Sequence, residues 1–270
     1  MCRWLAYSGP SLVIEDLLFK PRNSLIRQSL SASRSIVPTN GDGFGLGWYG
    51  DNFRPGLFRD TLPAWNDSNL RSLSEQIASR LFFAHVRAST GTSTSRENCH
   101  PFRHGNLMFM HNGAIGGFHQ VRRDIEQMIP APLYGDRLGT TDSEAFFLLA
   151  LGNGLASDIE GALKATVAQI LEVMARAGSG EPFHMTAAIT DGETLYALRY
   201  SNDSCSPTLY YATGAAVGVA GRDLEFQPGC GAVLVLSEPL DDSVGCWTAI
   251  PEGCLVRARA GAVEISDFGV

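Results

Sequence analysis

A cysteine stands at position 2, directly after Met1, in the opening stretch MCRWLAYSG. Its side chain is small enough to permit excision of the initiator methionine, which would leave a thiol and a free α-amine on one residue. Such a residue is a self-contained nucleophile, because the amine accepts the thiol proton without any His or Asp partner. With a reference pKa of 7.7 to 8.0, roughly a tenth to a fifth of that amine is neutral at pH 7. By position alone, Cys2 also reads as a small buried residue of an edge strand.

Three further places carry residue types that could serve such a nucleophile. Arg87 closes the apolar run LFFAHVR; its planar fork suits a carboxylate, and a charge so soon after LFFAHV is costly to bury without a partner. Asn112 and Gly113 follow the apolar run NLMFM. The plain reading of that pair is a tight turn, and the same turn can aim an amide side chain and a backbone N–H at one spot. Asp142 falls in the first turn of an expected helix, where a carboxylate meets the positive end of the helix dipole for about 0.3 to 1 kcal/mol. His85, His100 and His111 lie in the same segments and read as structural support. Cys99 has neither a base nor an oxyanion hole in its vicinity, so it reads as no rival nucleophile.

The elements that must position these residues are legible as hydrophobic periods. Residues 1–7 and 44–49 read as buried strands, the second interleaved with glycines. Asp67 fits an N-cap for a helix carrying Leu70, Leu73 and Ile77 at helical spacing, which leads into LFFAHVR. Thr141 with Glu144, and Ser157 with Glu160, have the form of capping boxes. The second precedes a long helix lined by Ile159, Leu163, Val167, Ile170 and Met174 and ended at Gly178. HMTAAIT and ETLYALRY flank Asp191-Gly192 as a hairpin, and TLYYAT, GAVLVLS, CLVRAR and AVEIS read as later strands. Two helices against many antiparallel strands make a layered α+β protein, expected to be a single domain over residues 1–270.

Composition narrows the partners. Of 270 residues 44% are hydrophobic and 18% charged, and the net charge of −7 leaves no basic stripe for a phosphate backbone. Nucleic acid is therefore not an expected partner, and the substrate is expected to be small. No run approaches the roughly 18 apolar residues of a membrane span, and the N-terminus has no apolar signal region, so a cytoplasmic protein is expected. The six cysteines form no CxxC pair, which argues against a disulfide framework. Gly45-Leu46-Gly47-Trp48-Tyr49-Gly50 matches GxGxxG but is followed by Asp51, Asn52 and Pro55 and opens no helix, so its glycines read as close-packing positions and not as a dinucleotide site. Cys99, His100, His104 and His111 fit no common zinc spacing. Neither a cofactor nor a metal is expected.

Taken in order, MCRWLAYSG, GDGFGLGWYG, AHVRAST, ENCHPF, MHNGAIGG and TTDSE resemble the class II, N-terminal-nucleophile glutamine amidotransferases. The resemblance runs from Met1 to about Ala145, and six segments in register are far more specific than any one. It implies the four-layer αββα sandwich of the Ntn-hydrolase fold and hydrolysis of a glutaminyl or γ-glutamyl amide through a thioester on Cys2. It also implies roles for the other residues: Arg87 for the substrate α-carboxylate with Thr90 helping nearby, Asp142 for the α-ammonium, and Asn112 with Gly113 for the oxyanion hole. MCRWLAYSG together with LSEPLDDS at 236–243 is similar to the subgroup containing the γ-glutamyl amidase of ergothioneine biosynthesis, although Trp4 stands where that amidase has a histidine. Two other readings stay open. The chain could be a glutaminase subunit serving a separate synthase, or a catalytically silent protein that keeps Arg87 and Asp142 as a glutamate-like ligand site.

Overall fold

The computed structural model describes residues 2–32, 38–52, 54–89, 91–216, 225–226, 229–243 and 245–270. Among them, seven strands form a first sheet in the order Thr248–Ala249, Tyr210–Thr213, Val233–Leu236, Arg3–Val13, Ala78–Val86, Phe44–Trp48, Gly56–Asp60. Six form a second sheet in the order Ala262–Asp267, Cys254–Arg259, Leu195–Ser201, His184–Thr190, Leu107–Ala114, Phe102–His104. The amino-terminal strand is interior to its sheet, paired on both sides, and not the edge strand that its position at the chain start suggests.

Alternation along the strands divides the apolar residues into three layers. Trp4, Ala6, Leu81, Phe83, Val233 and Val235 of the first sheet meet Met108, Met110, Ala188, Ala197 and Val256 of the second. Their sequence neighbours Leu5, Tyr7, Phe82, Ala84, Leu234 and Leu236 face the other way, under the short helices Glu15–Leu18 and Leu25–Leu30 and the helix Ser68–Gln76. On the far side of the second sheet, Phe109, Met185, Ala187 and Ile189 pack under Phe118–Met128, Asp142–Gly152 and Ile159–Ala177. The result is helix, sheet, sheet, helix: the αββα sandwich.

Several local expectations hold and several need correction. Asp67 caps its helix by accepting from the Leu70 N–H at 2.6 Å, and Gly178 ends the long helix in the left-handed region at φ 66°. Thr141 does cap, accepting from Glu144 N–H at 3.2 Å, but the Glu144 carboxylate turns instead to the N–H groups of Leu138 and Gly139 and to Arg137, so the reciprocal box does not form. For the long helix the N-cap is Asp158, which accepts from Gly161 N–H at 3.0 Å; Ser157 instead donates to Gly154 O. Asn112-Gly113 is not a turn. Both residues lie inside Leu107–Ala114 and pair with Thr186 and Met185. An unexpected amphipathic helix, Phe118–Met128, follows that strand. Gly45 and Gly47 admit the second sheet: a Cβ on Gly45 would lie 1.9 Å from the His100 carbonyl oxygen and one on Gly47 2.5 Å from Met108 Sδ. No helix among the described residues is long and apolar enough to cross a membrane.

Candidate active site

Strand alternation brings the chemistry-bearing side chains to one end of the space between the sheets. Position 2 has the parity of Trp4 and Ala6, position 112 that of Met108 and Met110, and positions 85 and 87 that of Leu81 and Phe83, all facing the inter-sheet layer. A cavity of about 790 Å³ opens there, lined by Cys2, Arg87, His100, His111, Asn112, Gly113 and Asp142 among others. Five of the six residues singled out from the sequence thus share one cavity. The sixth, Thr90, lies outside the described residues.

Cys2 is half-buried, with its Sγ 3.7 Å from the Ala88 carbonyl oxygen. Burial pushes its thiol pKa up, while the hydrogen bond to Ala88 and the Arg87 and Arg3 guanidiniums pull it down. The net direction is upward. A thiol in this state is largely protonated near neutral pH, and its attack requires a base.

Arg87 is 3% exposed. Its Nη2 donates to Thr92 Oγ1 at 2.6 Å, to Ser89 Oγ and to the Ser93 carbonyl, both at 3.2 Å, and its Nη1 donates to the Asp42 carbonyl at 3.2 Å. Every one of these partners is neutral, and none of the ion pairs among the described residues includes Arg87. A buried guanidinium held in place by neutral groups is poised for an anion from outside.

Asn112 is 1% exposed, and neither its Oδ1 nor its Nδ2 has a hydrogen-bond partner among the described residues. Leaving such an amide unsatisfied costs about 1 to 3 kcal/mol, a cost that a ligand in the cavity can remove. Gly113 is required by packing as well as position, because a Cβ there would lie 1.9 Å from the His184 carbonyl oxygen.

Asp142 is the first residue of Asp142–Gly152. Its Oδ2 accepts from Ile115 N–H and its Oδ1 from Ser143 N–H, both at 2.8 Å, and the residue lines the same cavity. The Ser143 hydroxyl lies within hydrogen-bond reach of both His111 Nδ1, at 2.8 Å, and Asp142 Oδ1, at 3.3 Å. Asn98, fully buried, ties the two halves together: its Nδ2 donates to Ser93 O and its Oδ1 accepts from Thr140 N–H. The loop that carries Arg87's partners is thereby joined to the loop that starts the Asp142 helix.

Two buried imidazoles, His100 and His111, line the site, and a third, His85, packs against His100. His85 Nε2 donates to the His111 carbonyl at 3.2 Å, and the His85 and His100 rings lie 4.4 Å apart. Burial holds all three below the ordinary histidine range, His85 at about 3, and the mutual repulsion among them adds to this for His85 and His100. They are neutral supports. The sequence reading missed Asn98, Ser143, Arg3 and Glu238. Asn98 lies within the ENCHPF segment, which was its only available signal.

The family described as glutamine amidotransferases class-II matches residues 22–268 of the chain. The chain belongs to that family, and is an enzyme of it. A Saccharomyces cerevisiae protein named as a probable glutamine amidotransferase is 32% identical across 96% of this chain and 82% of its own length. The γ-glutamyl-hercynylcysteine sulfoxide hydrolase of Mycolicibacterium smegmatis is 27% identical across 99% of this chain and 100% of its own. Among solved structures, a glutamine aminotransferase class-II domain protein from Silicibacter pomeroyi superposes over 100% of both chains with a TM-score of 0.73 and 34% identity. The glutamine phosphoribosylpyrophosphate amidotransferase of Bacillus subtilis, at 15% identity, matches over 50% of its length with a TM-score of 0.67, a likeness of fold alone. The present amidotransferase therefore has the sandwich of its class, and the family match, which begins at residue 22, leaves Cys2 to be argued from geometry.

Proposed function

We propose that this amidotransferase hydrolyses γ-glutamyl amides through a thioester on Cys2, with the glutamyl group held between Arg87 and Asp142. The observation that carries the reading is the Asn112 side chain, a buried amide in the cavity that Cys2 also lines, with both polar atoms unpartnered among the described residues. An oxyanion forming on the substrate would be its missing partner.

The chemistry follows from the groups present. Arg87 takes the α-carboxylate in place of the anion it lacks, and Asp142 takes the α-ammonium, which fixes the scissile amide over Cys2. The α-amine of Cys2, free once Met1 is removed, accepts the thiol proton as sulfur attacks the amide carbon. Negative charge develops on the carbonyl oxygen, where Asn112 Nδ2 and the Gly113 N–H stabilise it. Collapse breaks the C–N bond, and the protonated amine of Cys2 gives its proton to the leaving nitrogen. Water then attacks the thioester with the same amine as base, releasing glutamate and restoring the thiol.

A free-standing hydrolase is favoured over a glutaminase subunit because the Mycolicibacterium relative named as a γ-glutamyl-hercynylcysteine sulfoxide hydrolase matches across its whole length. The test is glutamate release from glutamine and from a panel of γ-glutamyl amides by the purified chain alone. Turnover of the amides without any added protein supports the hydrolase. Release from glutamine only, and only with a synthase present, would overturn it in favour of the subunit; binding of glutamate without turnover would leave a silent ligand-binding protein.

A further inference from the structure

MCRW and LSEPLDDS stand at opposite ends of the chain and meet in space around Cys2. Arg3 is 1% exposed and Glu238 fully buried, and Arg3 Nε donates to Glu238 Oε1 at 2.6 Å. From the same guanidinium Nη1 donates to the Cys2 carbonyl at 2.7 Å. The neighbouring residues are joined too: Trp4 N–H donates to Ser237 Oγ at 3.1 Å, and Ser237 N–H to the Trp4 carbonyl at 3.0 Å. Gln28 Nε2 secures the segment from the helical side, donating to the Glu238 carbonyl at 3.2 Å.

Stability alone does not account for this pair. Desolvating two charges costs as much as their attraction returns, and an apolar pair of similar volume commonly serves a core as well or better. What an apolar pair lacks is a donor for the Cys2 carbonyl. The ladder of the first sheet begins at Arg3, opposite Val86, so Cys2 lies just beyond it, where a chain terminus frays unless something ties it down. Rotation about the Cα–C bond of Cys2 swings its amine and thiol together relative to that carbonyl.

We propose that Arg3, held by Glu238, is a positioning residue for the nucleophile: by fixing the Cys2 carbonyl it keeps the thiol and α-amine of Cys2 directed at the cavity that contains Asn112. This rests on the reading of Cys2 given above. Glu238 has a second effect, since it cancels the Arg3 charge close to the amine. The other charged groups lining the cavity with Cys2 are Arg87, past the end of Ala78–Val86, and Asp142, Arg122 and Glu181; His100 and His111, which also line it, and His85, which packs against His100, are neutral through burial.

Glu238→Gln keeps the size and an acceptor for Arg3 but leaves the guanidinium charge uncompensated. The expected result is a fall in kcat of roughly tenfold or more, as for other slight misplacements of a reacting group, with KM and glutamate affinity unchanged. A cation beside the amine disfavours its ammonium form, so the acid limb of the kcat/KM profile moves to lower pH. The Arg3→Met/Glu238→Leu double variant removes both charges and the carbonyl contact; it should lose kcat to a similar degree, keep its Tm, and leave the acid limb in place. If the double variant does not fold, Glu238→Gln alone decides. Wild-type kcat with a wild-type pH profile in Glu238→Gln overturns the proposal, as does a kcat loss matched by an equal loss of glutamate binding; a lower Tm is expected of this variant in either case, because it leaves a buried charge unpaired. A Cys2→Ala variant that retained activity would instead overturn the nucleophile assignment itself.

Discussion

Arg87 and Asn112 are incomplete in different ways, and the difference predicts different kinetic defects. In the proposed mechanism Arg87 takes an anion that the ground-state substrate already carries, whereas Asn112 meets an acceptor whose charge appears only as the tetrahedral species forms. Arg87→Lys keeps the charge but loses the fork, and with it at least one charge-assisted bond of about 1.5 to 3 kcal/mol. It also loses the contacts to Thr92, Ser89 and Asp42 that hold the side chain. Steady-state kinetics on any accepted γ-glutamyl amide should then show kcat/KM reduced by roughly ten- to a hundredfold. Asn112→Ala should lower kcat by about a hundred- to a thousandfold with KM little changed; a wild-type kcat would remove Asn112 from the oxyanion hole. The types and order of these residues were legible in the sequence, because a cysteine at position 2 and an arginine closing an apolar strand stand out locally. Arg3, Glu238, Asn98 and Ser143 were not, because each acts through a partner from 32 to 235 positions away and carries no local mark of that.

At the scale of elements, the strands were read better than their ends. Runs such as LFFAHV and HMTAAIT are apolar on both faces because each lies between two layers, which no loop composition imitates. The Asn-Gly pair misled because its turn propensity is local, while the competing ladder with Thr186 and Met185 on His184–Thr190 is made by residues about 70 positions away. The cap of the long helix misled differently: Ser157 and Asp158 are adjacent and both able to cap, and only the backbone decides between them. Asp158→Ala should therefore destabilise the protein by about 0.5 to 2 kcal/mol, lowering Tm by a few degrees, while Ser157→Ala should change Tm far less. Equal shifts for the two variants in a thermal melt would contradict the observed cap.

The sandwich as a whole buries three neutral imidazoles beside the cavity, and this makes its stability depend on pH in a definite direction. Each of His85, His100 and His111 is held below its unfolded value by desolvation, so the unfolded chain binds protons that the folded chain does not. Stability is full above about pH 6.5, the unfolded histidine pKa, and declines as pH falls below it, toward about 3 for His85. Carboxylates held low by their partners, such as Asp60 and Glu126, add their own loss only near about pH 4 and below. Tm measured in steps should therefore drop between about pH 6.5 and 5, above the range in which Asp60 and Glu126 titrate; a flat Tm across that window would show the imidazoles to be protonated in the folded state.

The proposed mechanism passes through a thioester at Cys2, which intact-mass spectrometry of protein quenched in acid during turnover of a γ-glutamyl amide would detect. The expected species begins at Cys2 and carries one glutamyl group on that residue, a form absent from Cys2→Ser, which should turn over several orders of magnitude more slowly. Full activity in a preparation that retains Met1, or a wild-type rate in Cys2→Ser, would contradict it.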